Sequence, residues 1–246
     1  MSILDLAPLH FSDEGRLPRN LREQVCRARG VVVSTHLIAD EVRRELGAEK
    51  VWLIPPAVGD RFYEHRSSVN ESVHPYVLHV GGATERKGLD GLARAWPVVR
   101  AADPDLDLVM VGPVHATGRT KLLRLDGVRW VGQADDETVL DLMIGARAVV
   151  VPSTYEGFGM PVAESMALGS PVVVLAGTAP AEVGGDAAFC AATGMADDLA
   201  EAILGAVVAR EIEPRRLADG VLTAQQWTVS HICRVQMQVY QEAFGG

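Results

Sequence analysis

Short aliphatic runs alternate with segments of helical periodicity along most of this 246-residue chain. The aliphatic runs are predicted strands and cover residues 30–34, 51–54, 76–80, 106–111, 128–131, 148–152, 171–175 and 187–190. Strands separated by helices form βαβ units, and βαβ units build a parallel sheet. The runs are almost unbroken valine, leucine and isoleucine, as expected when both faces of a sheet are covered. The pattern predicts an α/β protein with a doubly wound parallel sheet.

The six strands from residue 76 onward suffice for one complete doubly wound domain. If their order is 3-2-1-4-5-6, the sheet changes direction between its first and fourth strands, at 76–80 and 148–152. Ligands bind at such a switch point, outside the carboxyl ends of the strands. The loops that follow these two strands, 81–88 and 153–161, are therefore predicted to share one crevice.

The two ends of the chain differ from this central block. Residues 30–54 hold a single strand-helix-strand unit, which we expect to be too small to close a core of its own. The polar, proline-containing stretch 55–75 is typical of a linker. We therefore expect three parts: residues 1–72, a domain at 73–227, and a C-terminal helix within 228–246.

The composition disfavours several classes of protein. The formal net charge is −9, and an acidic chain is a poor partner for nucleic acid, whose phosphates need basic surface. The three cysteines, Cys26, Cys190 and Cys233, show no metal or disulfide spacing, which favours a reducing, cytoplasmic location. The first residues lack the pattern of a signal peptide, and no run approaches 18 apolar residues.

The first loop of the predicted crevice combines small and basic residues. Gly81 and Gly82 let a ligand approach the backbone closely. Arg86 and Lys87 then project beside it, and adjacent cations at a switch point suit a diphosphate. A solvated charged turn that caps the following helix is an equally weighted alternative.

The second loop leads into a predicted helix start. Pro161 suits the first turn of a helix that would run to Leu168 and stop at Gly169. Free backbone amides at such a start bind anions. The amides expected to be free are those of Gly159, Met160, Val162 and Ala163.

Two glutamates flank this helix start, Glu156 before it and Glu164 in its first turn. The simplest alternatives are that Glu156 is an ordinary exposed acid and that Glu164 only complements the helix dipole. A carboxylate, however, accepts paired hydrogen bonds from vicinal hydroxyls. A sugar nucleotide carries hydroxyls on both sides of its diphosphate, so two acids around one anion site match that ligand.

The stretch EGFGMPVAE resembles the E-x7-E motif of retaining GT-B glycosyltransferases of family 4. The segments VLHVGGATERKGLDGLARAW and VRWVGQADDETVLDLMIGARAVVVPS are similar to further motifs of that family, in the same order. The resemblance implies a Rossmann-like sugar-nucleotide lobe and a reaction that needs neither metal nor cofactor. It implies that Arg86 and Lys87 bind the diphosphate, Glu156 the transferred sugar and Glu164 the ribose. It also assigns substrate contacts to the loop and helix start between the two glutamates: Phe158, Gly159, Met160, Pro161, Val162 and Ala163. It assigns the base to the backbone near Gly132 and Gln133.

The front of the chain departs from the family pattern. Family enzymes have a first lobe that binds the acceptor, and residues 1–72 resemble only its end. Leu4 stands where the family motif has a histidine. We therefore expect a retaining glycosyltransferase acting on a nucleotide-diphosphate sugar and an unknown acceptor; the alternative is a non-catalytic nucleotide-sugar-binding or partner subunit.

The expected partners follow from this interpretation. Either a homo-oligomer or a second chain would supply the acceptor lobe, and no nucleic acid is expected. Residues 16–29 carry five arginines and one glutamate. This segment is compatible with contact to anionic lipid, but a solvated helix face or a contact with a missing lobe is the favoured interpretation.

Overall fold

The computed structural model describes residues 1–65, 74–113 and 122–245. Within these ranges the strands are β1 (Val31–Val33), β2 (Val51–Leu53), β3 (Tyr76–Val80), β4 (Asp107–Val111), β5 (Val128–Gly132), β6 (Ala148–Val151), β7 (Val172–Leu175) and β8 (Phe189–Ala191). The α-helices are α1 (Leu21–Arg27), α2 (His36–Leu46), α3 (Arg61–Glu64), α4 (Leu89–Ala102), α5 (Asp136–Gly145), α6 (Met160–Leu168), α7 (Ala179–Gly184), α8 (Ala196–Val207), α9 (Ala209–Ile212), α10 (Pro214–Ala224) and α11 (Val229–Phe244). Among the described helices, none is both long and apolar enough to cross a membrane.

The larger sheet has six parallel strands in the order β5-β4-β3-β6-β7-β8. This is the predicted order 3-2-1-4-5-6, and the α/β doubly wound fold is confirmed. Strand β3 pairs with β4 on one side and β6 on the other. The carboxyl ends of β3 and β6 therefore flank the switch point. Alternate residues of the strands enter two separate cores, as Val77 and Leu78 do, because both faces are covered by helices.

Local signals in the sequence fix where the key helices start and stop. Thr35 caps α2 by accepting from the Ile38 amide, and Asp135 caps α5 by accepting from the Thr138 amide. Helix α6 ends at Gly169, whose left-handed conformation suits glycine. The last helical residue of α6 is therefore Leu168, as predicted, and the helix starts at Met160, one residue before the predicted start.

The smaller sheet shares a core with the N-terminal segment of the chain. Strands β1 and β2 are parallel, and Ser2 forms a further parallel bridge to Val32. The first residues of the chain and helices α1 and α2 cover one face of it. The residues of this core are Ile3, Leu6, Leu21, Val25, Val31, Val33, Ile38, Ala39, Val42, Leu46 and Ala48. Residues 30–54 do not close this core alone; residues 1–27 fold back over one face, a cover that the sequence pattern did not predict.

The last helix runs back across the smaller sheet. Residues of its final turn bind that part of the chain: the Ala243 carbonyl accepts from Arg29 at 2.8 Å, and Glu242 pairs with Lys50 at 2.9 Å. The predicted boundary between residues 72 and 73 lies outside the described residues. The division at 227/228 stays a prediction.

Candidate functional site

The two predicted loops come together because a glycine lets them touch. Gly88 has φ +69°, and a Cβ there would lie 1.9 Å from the Pro152 carbonyl oxygen. The Thr154 amide donates to the Arg86 carbonyl at 2.8 Å. The loop after β3 is thus fastened to the loop after β6 at the switch point, as predicted.

Four charged side chains meet at this junction. Glu156 accepts from Arg86 Nη1 and from Lys87 Nζ, each at 2.5 Å. Ser153 Oγ donates to the same carboxylate at 2.9 Å. On its other side, Arg86 Nε donates to Glu14 at 2.6 Å. The structure therefore brings together the three residues predicted to bind the diphosphate and the transferred sugar, and it adds a fourth charge from the N-terminal segment.

The cluster keeps its charges despite its burial. Burial alone would raise the pKa of Glu156, but Lys87, Arg86 and Ser153 together lower it below its usual value. Burial likewise opposes the charge of Arg86, yet Glu156 and Glu14 raise its pKa. Each ion stabilises its neighbour, so the carboxylate of Glu156 is ionised at neutral pH.

The start of α6 lies beside this cluster, and it offers fewer free amides than predicted. Gly159 takes φ +105° as the residue that precedes the helix. The amides of Val162 and Ala163 both donate to the Gly159 carbonyl, so the prediction that they are free is wrong. Because the helix already starts at Met160, its first turn is closed by these two bonds. Among the described residues, no partner binds the amides of Gly159 and Met160.

Glu164 sits in a different environment from Glu156, although both belong to the same motif. Burial raises the pKa of Glu164 to about 7, with Arg61 lowering it and Asp136 raising it. Arg61 pairs instead with Asp136, at 2.9 Å. Within the described part of the chain, no hydrogen bond or ion pair reaches the Glu164 carboxylate, so it is available to a ligand.

The remaining predicted residues are spread along the carboxyl edge of the sheet. The Gly81 amide donates to Val111, and the Gly112 amide to Gly132, at the ends of β4 and β5. Gln133 is exposed beyond β5. Three strand spacings separate β5 from β6, or roughly 14 Å. A ligand that contacts both Gly132 and Glu156 must therefore be extended.

A cleft of about 440 Å³ opens between the two sheets at the start of α6. One wall comes from the larger sheet, with Lys87, Glu156 and residues 157–161; the other comes from the smaller sheet and the N-terminal segment, with Ser2, Leu4, Asp5, Val33, Ser34, Ile54 and Pro56. Leu4 is 72% exposed there. Phe158 lines the cleft but is itself buried and packs edge-on against Trp227, so its side chain also supports the loop.

Sequence reasoning missed the contacts that tie the N-terminal segment to both loops. Asp13 accepts from the Glu85 amide at 3.0 Å. The Tyr155 hydroxyl donates to Glu41 at 2.6 Å and accepts from the Leu6 amide at 2.9 Å. These partners are 72 to 149 residues apart in sequence, and no local spacing signals them.

His79 lies below the junction as a buried residue of β3. Its Nδ1 donates to the Val150 carbonyl at 3.0 Å. Burial and, to a smaller extent, Lys87 lower the pKa of His79 to about 4. It is therefore neutral at pH 7. In the ranges 1–65, 74–113 and 122–245, no group of three or more His, Cys, Asp or Glu side chains could hold a metal ion.

The fold and the site define a class of protein: a doubly wound α/β unit whose switch point carries cations, a helix start and two glutamates. Residues 74–207 match the family model for glycosyl transferases group 1. The chain belongs to this family. The predicted family resemblance is confirmed at this level.

Curated relatives extend the match beyond these residues. The D-inositol 3-phosphate glycosyltransferase 2 of Catenulispora acidiphila is 32% identical over 77% of this chain and 49% of its own length. The MMP alpha-(1->4)-mannosyltransferase of Mycolicibacterium hassiacum is 30% identical over 70% of this chain and 43% of its own length. The chain spans about half the length of these relatives.

Solved structures share the fold of GT-B glycosyltransferases. Sucrose-phosphate synthase from Thermosynechococcus elongatus superposes with a TM-score of 0.77 at 23% identity, over 99% of this chain and 67% of that one. The GtfA/B complex gives a TM-score of 0.67 at 16% identity, over 92% of this chain and 47% of that one. At these identities the likeness shows the fold alone.

Proposed function

We propose that this chain is a retaining glycosyltransferase, or the nucleotide-sugar-binding half of one, that transfers a hexose from a nucleotide-diphosphate sugar to an acceptor hydroxyl. The observation that carries the proposal is the convergence of Arg86, Lys87 and Glu156 beside the free amides at the start of α6. Family membership supports glycosyl transfer, and a relative named as a mannosyltransferase supports a hexose.

The charges of the site suit departure of a diphosphate. In the transfer, the bond from the sugar C1 to the phosphate oxygen breaks and a bond from C1 to the acceptor oxygen forms. The acceptor proton passes to the leaving phosphate. Arg86, Lys87 and the amides of Gly159 and Met160 stabilise the negative charge that grows on the diphosphate, and this stabilisation is set up before reaction. The acceptor attacks from the face that the diphosphate leaves, which retains the configuration.

The two glutamates hold the two ends of the nucleotide sugar in this proposal. Glu156 is ionised and lines the cleft, so it accepts from hydroxyls of the transferred sugar. Glu164 lies toward α5 and accepts from the ribose. Gly132 and Gln133 lie farther along the sheet and provide backbone contacts to the base. The walls of the site between the sugar, ribose and base positions are formed by Gly81, Gly82 and residues 158–163.

The experiment that tests the proposal separates the two glutamates. Calorimetry of the parent, Glu156→Ala and Glu164→Ala would use UDP, GDP and ADP and a glucose or mannose ester of each. Glu164→Ala should weaken the free diphosphate and the sugar ester alike. Glu156→Ala should weaken the sugar ester far more, by about 1.5–3 kcal/mol. Equal losses for both ligands in both variants would refute the assignment.

A non-catalytic nucleotide-sugar-binding subunit is the second candidate. Leu4 presents an apolar side chain to the cleft, at the position where the resembling family motif has a histidine. One structural neighbour is a complex of two named components, GtfA/B. Under this candidate a second copy or a second polypeptide supplies the acceptor side. The cytoplasmic location and the absence of a metal or cofactor also remain predictions.

A further inference from the structure

Glu14 forms an ion pair with Arg86, one of the two cations that bind the diphosphate in the proposed function. Its carboxylate accepts from Arg86 Nε at 2.6 Å, across 72 residues of sequence. The two side chains are only 18% and 16% exposed, so bulk ions screen this pair weakly. Asp13 holds the turn Ser12–Glu14 against the same loop through the Glu85 amide.

The charges of the cluster cancel. Arg86 and Lys87 are each bound to a carboxylate, and the carboxylates of Glu14 and Glu156 equal the two cations in number. A nucleoside diphosphate brings further negative charge to cations that are already neutralised. Like charges confined in one part-buried site repel, so displacing one of the two carboxylates would relieve the repulsion when such a ligand binds.

Glu14 is the carboxylate that can leave. Glu156 accepts three hydrogen bonds, from Arg86, Lys87 and Ser153. The Glu14 side chain binds only Arg86 among the described residues. It is followed by Gly15, which has φ +88°, and no described atom lies within 4 Å of the position that a Cβ would take there.

We propose that Glu14 is the internal counter-ion of Arg86. It holds the guanidinium in place while the site is empty, is displaced by the diphosphate of the nucleotide sugar, and thereby sets a lower affinity for that ligand. The inference rests on the proposed function, because it takes Arg86 as a phosphate-binding residue. It makes Glu14 a positioning residue that acts through Arg86.

The sign of one mutational effect tests this role. Dissociation constants for UDP, GDP, ADP and inorganic pyrophosphate would be measured by calorimetry for the parent, Glu14→Gln and Glu14→Asp. Glu23→Gln is the matched control, because Glu23 pairs with Arg27 on the exposed surface of α1. Glu14→Gln should bind the best of these ligands about tenfold more tightly than the parent, which corresponds to 1.4 kcal/mol. Glu14→Asp keeps the charge and should stay closer to the parent, as should Glu23→Gln.

Thermal unfolding separates this role from simple structural support. Glu14→Gln should lower the melting temperature slightly while it tightens ligand binding. If Glu14 only supported the structure, the same substitution would lower both the melting temperature and the ligand affinity. Equal or weaker binding by Glu14→Gln overturns the proposal. If no nucleotide binds any variant but pyrophosphate binds Glu14→Gln more tightly, the proposed nucleotide-sugar function fails and the counter-ion role stands. If neither nucleotides nor pyrophosphate distinguish Glu14→Gln from the parent, the counter-ion role is refuted.

Discussion

Replacing Glu164 by glutamine should change how the stability of the protein depends on pH. Burial is the main reason that folding raises the pKa of Glu164 from 4.5 to about 7. Because the folded-state pKa lies above the unfolded one, the folded chain favours the protonated carboxyl. Its contribution to stability is complete below about pH 4.5 and is lost as the pH rises through about 7. A shift of this size corresponds to roughly 3 kcal/mol at most.

Glutamine keeps the shape of the neutral carboxyl and cannot ionise. Glu164→Gln should therefore exceed the free energy of unfolding of the parent by no more than about 1 kcal/mol at pH 5 and by about 3 kcal/mol at pH 8. Urea denaturation at pH 5, 6, 7 and 8 measures this difference. Glu201→Gln, which removes an exposed glutamate of α8, is the control and should show no such trend. A difference between Glu164→Gln and the parent that stays constant from pH 5 to 8 would show that burial of Glu164 is not costly.

The same group should couple nucleotide-sugar binding to pH. Only the ionised carboxylate of Glu164 accepts paired hydrogen bonds from a ribose. The affinity of the parent for a nucleotide sugar should rise with pH up to about 7 and then level off. That of Glu164→Gln should be lower and nearly independent of pH. Calorimetry across this range checks the result, and a nucleotide sugar is the right probe because its esterified diphosphate does not titrate there.

Two further predictions concern the rest of the site. Arg86→Lys should weaken diphosphate binding about tenfold or more in calorimetry despite keeping the charge, because the planar fork is lost; parent-like affinity would exclude Arg86 from the anion site. Tyr155→Phe should lower the free energy of unfolding by about 1–3 kcal/mol in urea, because it leaves Glu41 and the Leu6 amide without their shared partner; an unchanged midpoint would contradict this.

The larger sheet could be predicted from the sequence because its signals are local and redundant. Most of its strands are nearly continuous aliphatic runs, and helices between parallel strands restrict the possible topologies. The observed order therefore follows, and with it the meeting of loops 81–88 and 153–161. The position of Arg86 and Lys87 beside Glu156 needed no more than this topology and the glycines of the loop.

The N-terminal segment could not be predicted in the same way. Residues 1–27 cover a face of the smaller sheet that the pattern of residues 30–54 left open. Glu14 reaches Arg86 through a turn that has no periodicity. Such contacts depend on where a non-repetitive stretch runs in space, and sequence spacing carries no record of it. The amides of Val162 and Ala163 were misjudged for a smaller reason, a helix that starts at Met160 rather than Pro161.

The two glutamates of one motif differ because Glu156 has ion-pair partners and Glu164 has none within the described part of the chain. Both are largely buried, and burial acts on both in the same direction. Lys87 and Arg86 reverse its effect on Glu156, whose pKa is lowered, while nothing reverses it on Glu164, whose pKa reaches about 7. The eight-residue spacing places the first on the loop among cations and the second inside the first turns of α6, away from them. One short stretch thus yields a carboxylate that stays charged and one that is close to its titration point at neutral pH. A ligand that supplies hydroxyl donors to Glu164 would restore its charge, so binding at that end should release the proton that the empty site holds.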